Sequence, residues 1–310
     1  MSPDQLTSSS NPDSPSTQDR QPSPSARLEK EQASIVYSPE SSLRRPGHLV
    51  AGLWRDIWNS RELTWRLLSR NIRSQYRQSL LGIGWAFLPA IANTAIWVGL
   101  TASKTLTIET PVDYISYVLT GMILWQAFIE SFQAPSAAVT AGRSLLSKTP
   151  FPRESLLFVR FGEVLFNSSV RLSLLVIVFL FRPVELTWGV AFAPFGLLAL
   201  MMFGMALGLL LMPLGALYQD VNRFMTTFAP FWMLLTPVVY ALPDGGWGKL
   251  IMWLNPVSAL LVSTRDIILT GGSEYFVGGL VTIGIAIPTL FLGLLLYRLS
   301  MPILIERIAS

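Results

Sequence analysis

Residues 186–219 read LTWGVAFAPFGLLALMMFGMALGLLLMPLGALYQ, thirty-four consecutive positions without a charged side chain. As one α-helix this run would be about 51 Å long against roughly 30 Å of hydrocarbon in a bilayer, so it is tilted, extended past the membrane, or broken near Pro194 or Pro213. A helix apolar on every side belongs in lipid or deep in a large core, not on an aqueous surface. Further out along the chain, residues 78–103, 114–129, 224–243, 250–264 and 275–297 are also free of charge. The 310 residues are 51% hydrophobic and 14% charged, about half the charged share of a soluble domain, which excludes a soluble globular fold. The chain reads as an all-α polytopic membrane protein.

Cysteine is absent and His48 is the single histidine. Disulfides, iron–sulfur clusters, thiolate metal sites, an H-E-x-x-H zinc site and a bis-histidine haem are thereby excluded within this chain. The charge-free runs hold no pair of aspartates for an aspartyl protease. No metal site and no cofactor is expected in the chain itself.

Residues 1–42, rich in Ser, Pro, Gln and Asp, bury too little apolar surface to offset the entropy of ordering; they read as a disordered tail, and lack the apolar stretch of a cleaved secretory signal. Over 43–80 the pattern changes to leucines and tryptophans at three- and four-residue spacing interleaved with Arg55, Arg61, Arg66, Arg70, Arg73 and Arg77. This predicts an amphipathic basic helix lying on the membrane surface. The remainder, 81–310, is a membrane domain with six spans predicted at about 82–103, 114–134, 158–181, 188–215, 224–242 and 275–297. Run 250–264 is short for a crossing and contains Asn255-Pro256, so 243–273 is predicted as an outer-face segment with re-entrant half-helices. With both termini inside, the inner segments from residue 43 onward carry fourteen Lys and Arg, and outer segments only Lys104, Arg182, Lys249 and Arg265, which matches the positive-inside rule.

Four passages then come together in order. Residues 73–89 read RSQYRQSLLGIGWAFLP, 145–154 LLSKTPFPRE, 218–223 YQDVNR, and 254–256 LNP, followed by Arg265. They resemble the permease subunits of type-2 ABC exporters, the family that exports O-antigen, capsule and teichoic-acid chains, and the similarity covers roughly 60–305. Gln219 stands where the family usually has Arg, and the spacing from Trp85 to Pro89 is one residue shorter than its pattern. The resemblance implies a homodimer with two nucleotide-binding subunits that hold ATP and Mg, in the bacterial cytoplasmic membrane, with a lipid-linked glycan as cargo and no nucleic-acid partner. It also implies that Lys148, Phe151, Pro152, Arg153 and Glu154 form the segment that docks on the ATPase. Read without it, the same stretch is better taken as a basic positive-inside loop. Gly248-Lys249 is followed by Leu250, and no Walker A sequence exists, so ATP hydrolysis would need a separate subunit.

A conduit for sugar should be aromatic and weakly polar, since ring C–H faces stack on aromatics and hydroxyls need hydrogen-bond partners. Phe224, Phe228, Phe231 and Trp232 recur at helical spacing, Tyr240 follows, and Trp85, Asn93 and Trp97 form a stripe in the first span. These are candidate conduit residues; the alternative is a packing or lipid-facing surface. Glu130, Arg160, Glu163 and Arg171 are charges within spans and need partners. Arg160 and Glu163 stand three apart and can pair, and Glu130 in the neighbouring span is a candidate partner for Arg171, which otherwise could meet a lipid pyrophosphate. Arg66, Arg70, Arg73 and Arg77 form a basic band for lipid headgroups or for guiding a diphosphate-linked lipid to a gate. The expected function is export of a lipid-linked polysaccharide. Alternatives are small-molecule export, a membrane glycosyltransferase using Glu109 or Asp113 as base, and a scaffold without transport.

Overall fold

A computed structural model describes residues 46–77, 82–105, 108–146, 153–182, 187–242 and 246–309. The expected tail lies outside them. Every regular element among the described residues is helical: α1 Pro46–Arg77, α2 Gly84–Ala102, α3 Tyr114–Leu146, α4 Glu154–Phe181, a 3-10 turn Trp188–Phe192 leading into α5 Ala193–Leu217, α6 Gln219–Leu235, α7 Gly246–Leu254, α8 Pro256–Thr270 and α9 Phe276–Ala309.

Local chemistry sets the boundaries. The Asp113 carboxylate accepts from the backbone N–H and the hydroxyl of Ser116, both at 3.2 Å, and so caps α3; Arg182 at the end of α4 reaches its other oxygen at 3.7 Å. Asp113 therefore has a structural role that the glycosyltransferase alternative did not foresee. The long uncharged run is broken where Pro194 opens α5 behind the 3-10 turn, while Pro213 stays inside the helix.

Among the described residues, five helices are long and apolar enough to cross a membrane: α2, α3, α4, α5 with its 3-10 turn, and α9. The fifth expected span, 224–242, departs from the prediction. Its helix, α6, has 17 residues, about 26 Å, and ends at Leu235, after which Thr236–Tyr240 run as turn and bend. Two expected spans are longer than predicted: α3 continues through Pro135 to Leu146 and α9 continues to Ala309. The predicted half-helices are α7 and α8, joined at Asn255.

At the centre is α3, buried for most of its length and packed on α2, α4, α5, α6 and α8. Its closest neighbour is α5, because a Cβ at Gly204 or Gly208 would collide with the carbonyl oxygen of Phe128 or Phe132. Small residues at one-turn spacing let the two backbones touch, which supplies packing where lipid offers no hydrophobic drive. The other side of α5 carries α9. Phe128, Phe132, Trp125 and Phe203 cluster where α3 and α5 meet, with ring centroids 5.4 to 6.3 Å apart.

Candidate functional site

Along α6 the aromatic residues divide between two faces. Phe224 and Phe231 are more than half exposed, and Phe228, at the margin, stacks on Phe224 at 5.3 Å. Trp232 points the other way, edge-on to Phe128 at 5.2 Å and Phe132 at 5.5 Å, and its Nε1–H donates to Asn255 Oδ1 at 3.3 Å. In α2, Trp85 is exposed, Trp97 packs on the core, and the Asn93 amide donates to the Pro89 carbonyl at 2.8 Å. Of the expected conduit stripe, Trp85, Phe224, Phe228 and Phe231 are thus available at the surface of this chain. Trp97, Trp232 and Tyr240 serve packing.

Several hydrogen bonds converge on the end of α6. The Thr236 N–H still donates to Met233 O at 3.2 Å, but Val238 and Val239 are buried beyond the helix, a condition tolerable in a membrane only if protein groups meet the backbone. They do. Arg265 Nη1 donates to the carbonyls of Pro237 at 2.6 Å and Val238 at 3.2 Å; the Tyr114 hydroxyl donates to Val239 O and the Tyr117 hydroxyl to Tyr240 O, each at 3.2 Å. Asn255 Nδ2 donates to Thr236 Oγ1 at 2.8 Å. The Arg265 side chain is only 1% exposed, and its guanidinium lies over the Tyr117 ring at 3.9 Å. These groups from α3 and α8 form a clamp around the break. Sequence reasoning placed Arg265 among outer-loop cations. It sits inside α8, one of the expected half-helices, and is buried there instead of lying in a solvated loop.

A second polar cluster joins α1, α2, α3 and α4. Arg171, 4% exposed, donates through Nη2 to Glu130 Oε1 at 2.5 Å and through Nε to the Ala86 carbonyl in the first turn of α2 at 3.0 Å. One turn nearer the start of α4, the Tyr76 hydroxyl of α1 donates to Asn167 Oδ1 at 2.6 Å. Burial pushes the Tyr76 phenol up, an effect that Arg171 partly opposes, so the group stays a donor. Asn71 Nδ2 donates to Glu163 Oε1 at 2.7 Å, and Arg160 donates to the other Glu163 oxygen at 2.8 Å. Leu68 lies over Gly162. The later half of α1, the expected surface helix, is docked on α4. Sequence reasoning gave no role to Asn71 or Asn167 and met Tyr76 only within a motif, because a neutral polar side chain does not show in the sequence which helix it will meet. Arg66, Arg70, Arg73 and Arg77 lie exposed.

Of the expected coupling residues, Lys148, Phe151 and Pro152 lie outside the described residues. Arg153 and Glu154 open α4 and are fastened to α9: the Tyr297 hydroxyl donates to the Arg153 carbonyl at 2.8 Å, and Arg298 approaches Glu154 at 3.8 Å. Asp220 and Arg223 pair at 3.7 Å on the surface at the start of α6.

Comparison with known proteins agrees with this architecture. Over 218 residues the chain is 26% identical to the O-antigen export system permease protein RfbA of Myxococcus xanthus, covering 69% of this chain and 83% of that protein. It is 22% identical over 220 residues to a protein of the same name from Klebsiella pneumoniae, covering 67% and 81%. It is 22% identical over 245 residues to the polysialic acid transport protein KpsM of Escherichia coli, covering 75% and 91%. The family match runs from Glu62 in α1 to Leu269 in α8, taking in both polar clusters and the break in α6, and on that extent the chain belongs to the ABC-2 type transporter family.

Proposed function

We propose that this chain is the permease subunit of an ATP-driven exporter that moves a lipid-linked polysaccharide outward across the bacterial cytoplasmic membrane. It works as a homodimer beside two ATPase subunits, which bind ATP and Mg. Both termini are cytoplasmic. One finding carries the reading: the relatives in two glycan systems, O-antigen and polysialic acid, are matched over more than four fifths of their own length. The exposed phenylalanines of α6 support it, since a weakly polar aromatic surface suits sliding contact with sugar rings.

In this mechanism, closure of the ATPase pair pushes on residues 145–154. Arg153 and Glu154 pass the displacement to α9 through Tyr297 and Arg298 and along α4 itself. From α4 it reaches α1 through Asn71 and Tyr76, and the first turn of α2 through Arg171 and Ala86. The start of α4 and the gate helices then move as one body, and the aromatic surfaces of α2 and α6 in the two copies shift relative to each other.

The test is reconstitution of the chain with its ATPase in proteoliposomes loaded with lipid-linked glycan. ATP-dependent appearance of glycan on the opposite face, abolished by a hydrolysis-deficient ATPase, is the expected outcome. Glycosyl transfer without ATP, or ATP-dependent movement of small molecules only, overturns the reading.

A further inference from the structure

The two sides of α1 differ in chemistry. One is occupied by α4 through Leu68, Asn71 and Tyr76. The other carries Arg66, Arg70, Arg73 and Arg77, at steps of four, three and four, so the four guanidiniums share one helical face about 16 Å long. All are exposed. Arg66 meets Glu62 in a fully solvated pair at 2.6 Å, a weak interaction, and Arg70 reaches only its neighbour Asn71 at 3.4 Å. Arg73 and Arg77 have no partner among the described residues. Beside this band stand Trp58 and Trp65, one heptad apart, 59% and 69% exposed, with the Arg61 guanidinium over the Trp58 ring at 4.8 Å.

Exposed tryptophan beside arginine is the make-up of the bilayer headgroup layer, where an indole has an apolar body and a polar edge. The depth agrees. Asn71 sits at the Arg160–Glu163 pair, beyond which α4 carries no charge except the buried Arg171 until it ends. The band thus stands where the spans enter hydrocarbon. All six basic residues of α1 are arginine and none is lysine, and the planar guanidinium matches two phosphate oxygens at once.

We propose that the Arg66–Arg77 face of α1 is a docking surface for the anionic leaflet. Its four arginines bind the phosphates of anionic glycerophospholipids while Trp58 and Trp65 sit among the headgroups. A diphosphate on a single lipid carrier offers the same chemistry, but it would engage one part of a band this long, whereas neighbouring headgroups engage all of it. Because α1 is fastened to α4 and, through α4, to the first turn of α2, the charge of the leaflet helps set where the gate helices rest.

The full chain in neutral detergent is incubated with equimolar phosphatidylglycerol and phosphatidylcholine, with farnesyl diphosphate in parallel, and bound molecules are counted by native mass spectrometry. Phosphatidylglycerol is expected to be retained over phosphatidylcholine, and each Arg→Gln substitution to lower the preference roughly five-fold. Arg→Lys at the same positions is expected to keep part of it. Equal retention of the two lipids, or an unchanged preference in R66Q/R70Q/R73Q/R77Q, overturns the proposal. So does displacement of phosphatidylglycerol by farnesyl diphosphate, which would assign the band to the cargo lipid. The pairs R66Q/R70Q and R73Q/R77Q give the same readout if the fourfold variant aggregates. No ATP or transport enters the measurement, so it stands apart from the export reading.

Discussion

Two buried arginines meet the problem of a cation away from water differently. Arg171 has a carboxylate, Glu130, and adds one backbone carbonyl. Arg265 has no carboxylate at hydrogen-bond distance, Asp266 being 3.7 Å away, and its charge is met by two carbonyl oxygens and the face of Tyr117. Only a planar fork can lie flat on a ring and reach carbonyls at its edge; an ammonium cannot. Arg265→Lys is therefore expected to destabilise the purified chain by about 3 kcal/mol, read as a lower thermal midpoint in detergent. Tyr117→Phe keeps the ring and removes only the bond to Tyr240, so a loss of about 1 kcal/mol is expected. Equal effects of the two substitutions would refute the ring-face account. Glu130 could be named as the acid for Arg171 from sequence, because a cation within a span needs a counter-ion on a neighbouring helix. The surroundings of Arg265 could not, because its acceptors are carbonyls, which every residue possesses.

Among the elements, α1 and α6 show where periodicity stops being informative. The spacing of leucines and arginines in α1 reveals an amphipathic helix with a basic band, but leucines at that spacing suit a lipid surface and a protein groove equally. The groove is made by Gly162, where a Cβ would come within 2.7 Å of Leu68 Cδ2. Gly162→Val should lift α1 from α4, and hydrogen exchange should quicken over 60–77 while α3 and α5 keep their protection. Unchanged exchange over that stretch would show that α1 is fastened elsewhere. In α6 the uncharged run continues unbroken to residue 243, and prolines at 230 and 237 look alike on paper. Pro230 lies inside the helix and Pro237 beyond its end. What separates them is tertiary: the side chains that receive the freed backbone come from α3 and α8.

At the scale of the whole molecule, composition and charge-free runs were enough for an all-α membrane protein, and four ordered motifs for its family. They could not show how the helices touch. That depends on small residues such as Gly208, where an added methyl meets the Phe132 backbone rather than a flexible side chain. Gly208→Ala is expected to lower the stability of the chain by about 2 kcal/mol. Gly284→Ala, where a Cβ meets nothing within 4 Å, should leave it unchanged or slightly raised in the same thermal unfolding measurement.

That close contact has a mechanical meaning. α3 is a continuous helix of 33 residues, about 50 Å long, gripped at its start by the bonds of Tyr114 and Tyr117 to the break in α6, and ending at Leu146, within the stretch 145–154 expected to couple to an ATPase. It touches α5 most closely at Phe128–Pro135, close to its midpoint. A rod pressed at its middle and gripped at one end is a lever with a fulcrum. A tilt of about 5° would carry each end roughly 2 Å in opposite senses, enough to part the 3.2 Å bonds at Val239 and Tyr240.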